Sequence, residues 1–260
     1  GIPAMVLAGL ARSPGMYARA SKKSKRSPAL SRILFHSTSS WAKPAATTGP
    51  RALIRDMVAL TKPRIISLLL VTTIAPMFVA GDPSWELVLA VFVGGYLMAG
   101  GANAVNMYLD RDIDDRMART RLRPLPSGRM QPREVLAFGL VPATTETWML
   151  SRFANVLTAA LALAGFHFYV LLYTRWLKRS TPQNIVIGGA AGAFPPLVGW
   201  AAVTGSIDLM AVYLFLIVFY WTPPHFWALA LNKQQDYGLA GVPMAPLVWG
   251  EKETKRQMVW

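Results

Sequence analysis

The chain has no cysteine and only three histidines, His36, His167 and His225. The first absence removes disulfide staples and thiolate metal sites, and histidines so widely spaced do not form a zinc motif. Charge is scarce as well. Only 15% of the 260 residues are charged against 53% hydrophobic, and the mean hydropathy is +0.33. That is too apolar for an ordinary soluble domain. Acids are the scarcer sign, 13 against 27 basic residues, for a net charge of +14 at pH 7.

The basic excess is local. Residues 1–55 hold ten basic residues and no acid, leaving seventeen basic against thirteen acidic in the remainder. The excess therefore belongs to the N-terminal tail, and no nucleic-acid partner is expected. A tail rich in Arg, Lys, Ser and Ala and ending in Ser37, Thr38, Ser39 and Ser40 has the composition of an organellar transit peptide. Residues 1–50 are read as a mitochondrial transit peptide or disordered basic arm, and 51–260 as a transmembrane domain.

Apolar residues gather in runs long enough to cross a hydrocarbon layer ~30 Å thick. Spans are expected near 65–80, 86–108, 135–150, 153–173, 184–203 and 207–231, with a seventh beginning near Val242 and unfinished at Trp260. The third is poor in apolar residues: Pro142, Thr144, Thr145, Glu146 and Thr147 fall inside it, so it is either a distorted helix or a faulty join in the gene. Pro195-Pro196 and Pro223-Pro224 should break or kink spans five and six. Glycine and alanine clusters in spans two and five permit close helix approach.

Basic residues concentrate after spans two, four and six, including Arg111 to Arg133, then Arg175, Lys178 and Arg179, then Lys233. Those connections share one side with the N-terminus. That side would be the matrix in a mitochondrion, or the cytoplasm in a bacterium.

The segment NMYLDRDIDD places Asn106, Asp110 and Asp114 at i, i+4, i+8. On a helix these lie on one face with ~6 Å between rungs. Like charges so close favour a cation between them. A hard divalent ion such as Mg²⁺, using one or two carboxylates and substrate phosphates, suits such a site. Asn106, Asp110 and Asp114 are therefore the candidate catalytic and metal-binding residues. Arg119, Arg121, Arg123 and Arg129 follow at once, and guanidinium groups grip phosphate oxygens in pairs. The plainer alternative is a hydrated helix end whose acids balance nearby arginines.

NxxxDxxxD at the end of a second span, followed by RPLxxG, resembles the UbiA prenyltransferases. The motifs LTKPR at 60–64, NMYLDRDID at 106–114, WLKRSTPQNIVIGGAAG at 176–192 and TPPHFWALA at 222–230 are similar to the subgroup that farnesylates protoheme IX. The resemblance implies an all-α, polytopic bundle of nine helices, about six of them present here in a C-terminally truncated chain. It also implies a farnesyl diphosphate donor, haem b as acceptor, Mg²⁺ as cofactor and the mitochondrial inner membrane as location. Homo-oligomers and oxidase-assembly partners are compatible with it.

Asp236, one turn after Asn232, could complete a second metal site through water, with Lys233 taking part of the metal's charge. Lys62 and Arg64, at the mouth of span one, could meet diphosphate or haem propionates, or anchor to lipid heads. His225 could ligate haem iron or orient the porphyrin, or be an ordinary hydrogen-bonded histidine. His167 reads as structural. Other classes of function are a prenyltransferase for a quinone precursor or chlorophyllide, and a non-enzymatic haem carrier or oxidase-assembly scaffold.

Overall fold

The computed structural model describes residues 49–259, so the transit peptide expected over 1–50 lies almost wholly outside the described residues. Every regular element among them is helical. We number them α1 (Pro50–Thr61), α2 (Pro63–Ala80), α3 (Trp85–Leu109), α4 (Arg111–Arg116), α5 (Pro132–Phe153), α6 (Val156–Ser180), α7 (Asn184–Thr204), α8 (Leu209–Leu231), α9 (Gln234–Ala240), α10 (Ala245–Val248) and α11 (Glu251–Gln257). Five of these, α2, α3, α6, α7 and α8, are long and apolar enough to cross a membrane.

Helix α5 is the weak third span, and it is one unbroken helix running through Pro142. Its start is well specified: Pro132 occupies the first turn, and the Gln131 backbone N–H donates to Glu134 Oε2 at 2.8 Å, one half of a capping box. The helix makes its most extensive contact with α3. A Cβ on Gly101 would collide with the Gly139 carbonyl oxygen, and one on Gly139 would meet Val105 Cγ2. Bare backbone thus replaces hydropathy as the reason these two helices associate.

Other helix starts are equally local. Asn155 caps α6 by accepting from Thr158 N at 2.9 Å, and its amide donates to the Ala201 carbonyl of α7 at 2.8 Å. Asp208 caps α8 through Met210 N and Ala211 N. Between these caps lies a core of Met77, Val91, Met98, Val105, Leu150, Phe166 and Val198.

Two expectations need correction, and the prolines of spans five and six do not break their helices. Helix α7 is interrupted at Gly189 and runs through Pro195-Pro196. Each proline removes one backbone donor, yet the helix continues across both, with the flanking Ala193, Leu197, Val198 and Trp200 buried. Helix α8 likewise continues through Pro223-Pro224. Helix α6 does not end near 173: it widens into a π-helix over Phe168–Leu177 and continues to Ser180. Arg175, Lys178 and Arg179 therefore sit on helical turns rather than in a loop. Finally, no span begins at Val242. Pro243, Pro246 and Gly250 punctuate the chain there, leaving the four-residue α10 and a charged α11.

Candidate active site

The acid ladder is built on a helix end. Helix α3 finishes at Leu109, Asp110 serves as its C-cap, and α4 begins at once. Two hydrogen bonds, Asp110 N to Asn106 O at 2.9 Å and Asp114 N to Asp110 O at 2.8 Å, carry the helical spacing across the junction. Asn106, Asp110 and Asp114 thus keep their shared face, and all three are buried.

Burying carboxylates requires partners, and the fold delivers cations from three separate elements. Lys178, from the extended end of α6, donates to Asp110 Oδ2 at 2.5 Å. Arg123, from the loop after α4, pairs with Asp114 Oδ2 at 2.7 Å. Lys62, between α1 and α2, donates to Asn106 Oδ1 at 2.9 Å. The Asn106 amide then donates to Asp110 Oδ2 at 2.8 Å and to Thr174 Oγ1 at 3.1 Å. Thr174 is fixed in turn by donating to the Tyr169 carbonyl five residues back, a contact that the π-helical turn makes available.

Desolvation brings the Lys62 ammonium down to about 7, with Arg123 and Lys178 repelling it further while Asp114 and Asp110 oppose the shift. Outside the ladder, Arg179 forks onto Asp112 with two bonds of 2.7 Å. Those bonds hold the Asp112 carboxyl at about 2. Arg129 has a structural use: it grips Asp56 of α1 at 3.0 and 3.2 Å and also the Leu122 carbonyl. That grip pins α1 to the loop.

One atom is left over. Asp110 Oδ1 is buried and without a hydrogen-bond partner; Arg179 Nη2 lies 3.7 Å away, beyond hydrogen-bond distance. An orphaned carboxylate oxygen beside a buried amide is what a hard cation would use. Among the described residues no three His, Cys, Asp or Glu side chains converge as a metal set. An ion held here would complete its shell with water and phosphate oxygens, as Mg²⁺ commonly does. The residues present fit that ion.

Not every candidate reaches the ladder. Arg64 and Arg119 are exposed, and neither makes a hydrogen bond or ion pair to it; Lys233 is exposed beyond α8. Asp236 lies partly exposed on α9, which packs against α4 through Ile113, Met117, Ala240 and Tyr237. This apolar contact draws the two polar loops together, and burial raises the Tyr237 hydroxyl. His225 is exposed on α8, stacked on the Trp221 ring with centroids 4.3 Å apart. His167 is exposed too, and its Nδ1 lies 2.8 Å from the Leu163 carbonyl of its own helix. The partners that sequence reasoning missed are Lys178, Arg179 and Thr174. Their signal was in the chain: Pro182, not the charge run, marks where α6 must stop.

The sequence profile described as the UbiA prenyltransferase family matches residues 68–260, which include the whole ladder and α9. The chain belongs to the UbiA prenyltransferase family. A protein named protoheme IX farnesyltransferase from Roseiflexus castenholzii is 54% identical over 241 residues, covering 90% of this chain and 45% of that protein. One of the same name from Symbiobacterium thermophilum is 59% identical over 209 residues, covering 80% and 70%. A third from Chloroflexus aurantiacus is 54% identical, covering 88% of this chain and 40% of its own length. The chain thus spans less than half the length of two of these relatives. Among solved structures, a UbiA homolog from Archaeoglobus fulgidus bound to DMAPP and Mg²⁺ aligns with a TM-score of 0.65 at 16% identity, over 78% of this chain and 73% of that one. A digeranylgeranylglyceryl phosphate synthase aligns at 0.64 and 20%, over 79% and 72%. At these identities the likeness is one of fold: this UbiA chain is a polytopic helical bundle.

Proposed function

We propose that the site transfers a farnesyl group from farnesyl diphosphate to a vinyl group of haem b, giving haem O. The observation that carries this reading is the buried ladder itself. Asp110 keeps an unpartnered oxygen while Lys62, Arg123 and Lys178 surround the same face, in a chain 54–59% identical to proteins named for that reaction.

In this reading Asn106, Asp110 and Asp114 are the catalytic, metal-holding residues, and Asp236 approaches from α9. Lys62, Arg123 and Lys178 bind the diphosphate oxygens. Arg64, Arg119 and Lys233 are exposed outer cations that a bulky donor could draw in. When bound, Mg²⁺ neutralises charge developing on the diphosphate. The allylic C–O bond breaks with its electron pair leaving on the diphosphate, and the vinyl π electrons form the new C–C bond to farnesyl C1. The electron-deficient carbon left beside the porphyrin then takes oxygen from water, which releases a proton. His225 and Trp221, stacked on α8, offer an aromatic face that orients the porphyrin.

The tail and the loops support a location. A basic, acid-free N-terminus and basic even-numbered connections fit the mitochondrial inner membrane with the ladder facing the matrix; the relatives named above are bacterial, where the same side is the cytoplasm.

The test is to incubate membranes carrying the full-length protein with haem b, farnesyl diphosphate and Mg²⁺, and to resolve haem O by chromatography. Asp110→Asn and Asp114→Asn should each lower the rate at least ~100-fold. Undiminished product from both would reject the ladder as the reacting centre. A second reading, a haem carrier or assembly scaffold, rests on the same ion pairs, since Lys178 and Arg123 could neutralise the acids for structural ends. Haem delivery without prenylation would favour it.

A further inference from the structure

Helix α1 precedes the first span and presents two unlike faces. Asp56, Leu60 and Thr61 are buried and Met57 is partly so. Leu60 and Met57 pack with Ala104, Met107, Leu125 and Val135. The opposite face carries Arg51, Ile54, Arg55 and Val58, all exposed, with Ile54 61% and Val58 46% accessible. At 100° per residue these four fall within about 100° of arc. Asp56, the one acid of the helix, is turned inward and gripped by Arg129, so the outward stripe is apolar and cationic without an opposing charge.

We propose that α1 is an in-plane membrane anchor whose outward stripe binds acidic phospholipid of the leaflet on the ladder side. Three observations converge on lipid as the occupant. The helix is joined to α2 through the single residue Lys62, which leaves Val58 five residues, about 8 Å at helical rise, from the start of a span. Exposed apolar residues also open that span, at Ile65 and Leu68, so apolar side chains free of protein cover flank Lys62 on both sides. Arg51 and Arg55 flank them as cations do on interfacial helices, stems along the apolar side chains and heads at phosphate level. This anchor is independent of which acceptor the enzyme prenylates.

The cysteine-free chain allows a clean measurement. Single cysteines at Ile54→Cys or Val58→Cys in the full chain would carry a nitroxide label, with Ala118→Cys, exposed beyond α4, as the water-facing reference. The protein is placed in nanodiscs of phosphatidylcholine alone or with phosphatidylglycerol added, and label accessibility to oxygen and to a water-soluble nickel complex is compared. With acidic lipid the labels at 54 and 58 should favour oxygen while the Ala118 label favours nickel. Arg51→Gln with Arg55→Gln should lower the lipid-inserted population about fivefold per arginine. Nickel-accessible labels at both 54 and 58 in acidic nanodiscs would overturn the anchor. An oxygen preference unchanged by phosphatidylglycerol or by the arginine substitutions would overturn the headgroup contact. Haem O formation in the labelled protein reads out separately and bears on the catalytic proposal alone.

Discussion

Among the described residues, Lys62 is the one non-glycine with a left-handed backbone, at φ 58° and ψ 63°. That conformation costs a lysine about 1–2 kcal/mol, and strain of this kind persists where the surroundings demand it. Here the demand is geometric: Lys62 ends α1, precedes Pro63, and must still aim Nζ at Asn106. Its ammonium, brought to about 7 by burial, is mostly neutral at pH 8. A diphosphate beside it would restore the charged form, so binding at pH 8 should take up as much as one proton. Affinity should therefore weaken as pH climbs above 7. Calorimetry of Mg-pyrophosphate binding in buffers of different ionisation enthalpy measures the uptake directly. Lys62→Met should abolish it; equal uptake by both proteins would assign the proton elsewhere.

At the scale of helices, the pairs in this bundle are set as much by missing side chains as by apolar ones. The α3–α5 crossing tolerates no Cβ at Gly101, whereas Gly192 of α7 has nothing within 4 Å of where a Cβ would stand. Gly101→Ala should destabilise the detergent-solubilised protein by about 1–3 kcal/mol, and Gly192→Ala should be neutral or gain about 0.5–1 kcal/mol. Paired thermal scans compare them, and equal shifts would contradict the close contact. The contrast also shows what the residues disclosed. Hydropathy located α2, α3, α7 and α8 to within a few residues because their runs are long and bounded by proline, glycine or a capping side chain. It undervalued α5, whose threonines, Pro142 and Glu146 lower the mean although the Gln131–Glu134 box announces its start. It stopped α6 too early because a charge run was taken for a loop. That misplacement hid Lys178, the cation closest to Asp110. The ladder was legible because i, i+4, i+8 survives the α3–α4 junction; its partners come from distant chain positions and no spacing rule reaches them.

The whole molecule poses one topological question, and the ladder answers it. Lys178 at the end of α6 pairs with Asp110 at the end of α3, so both helix ends lie on the same side of the membrane. Helix α6 is long and apolar enough to cross, so its start at Val156 lies on the other side. The chain must therefore return across between Pro132 and Phe153. Helix α5 is the only element there, and at ~1.5 Å per residue its 22 residues reach ~33 Å. Its polar residues are accommodated in two ways: Glu146 is wholly buried against Gly94 of α3, and the exposed Thr144 and Thr145 donate their hydroxyls to the Val141 carbonyl of their own helix. From residue 118, three crossings, α5, α6 and α7, then lead to residue 206. Ala118→Cys and Ser206→Cys should accordingly react with a membrane-impermeant maleimide from opposite faces of sealed vesicles. Reaction from the same face would mean that α5 does not cross, and the Lys178–Asp110 pair could not form as described.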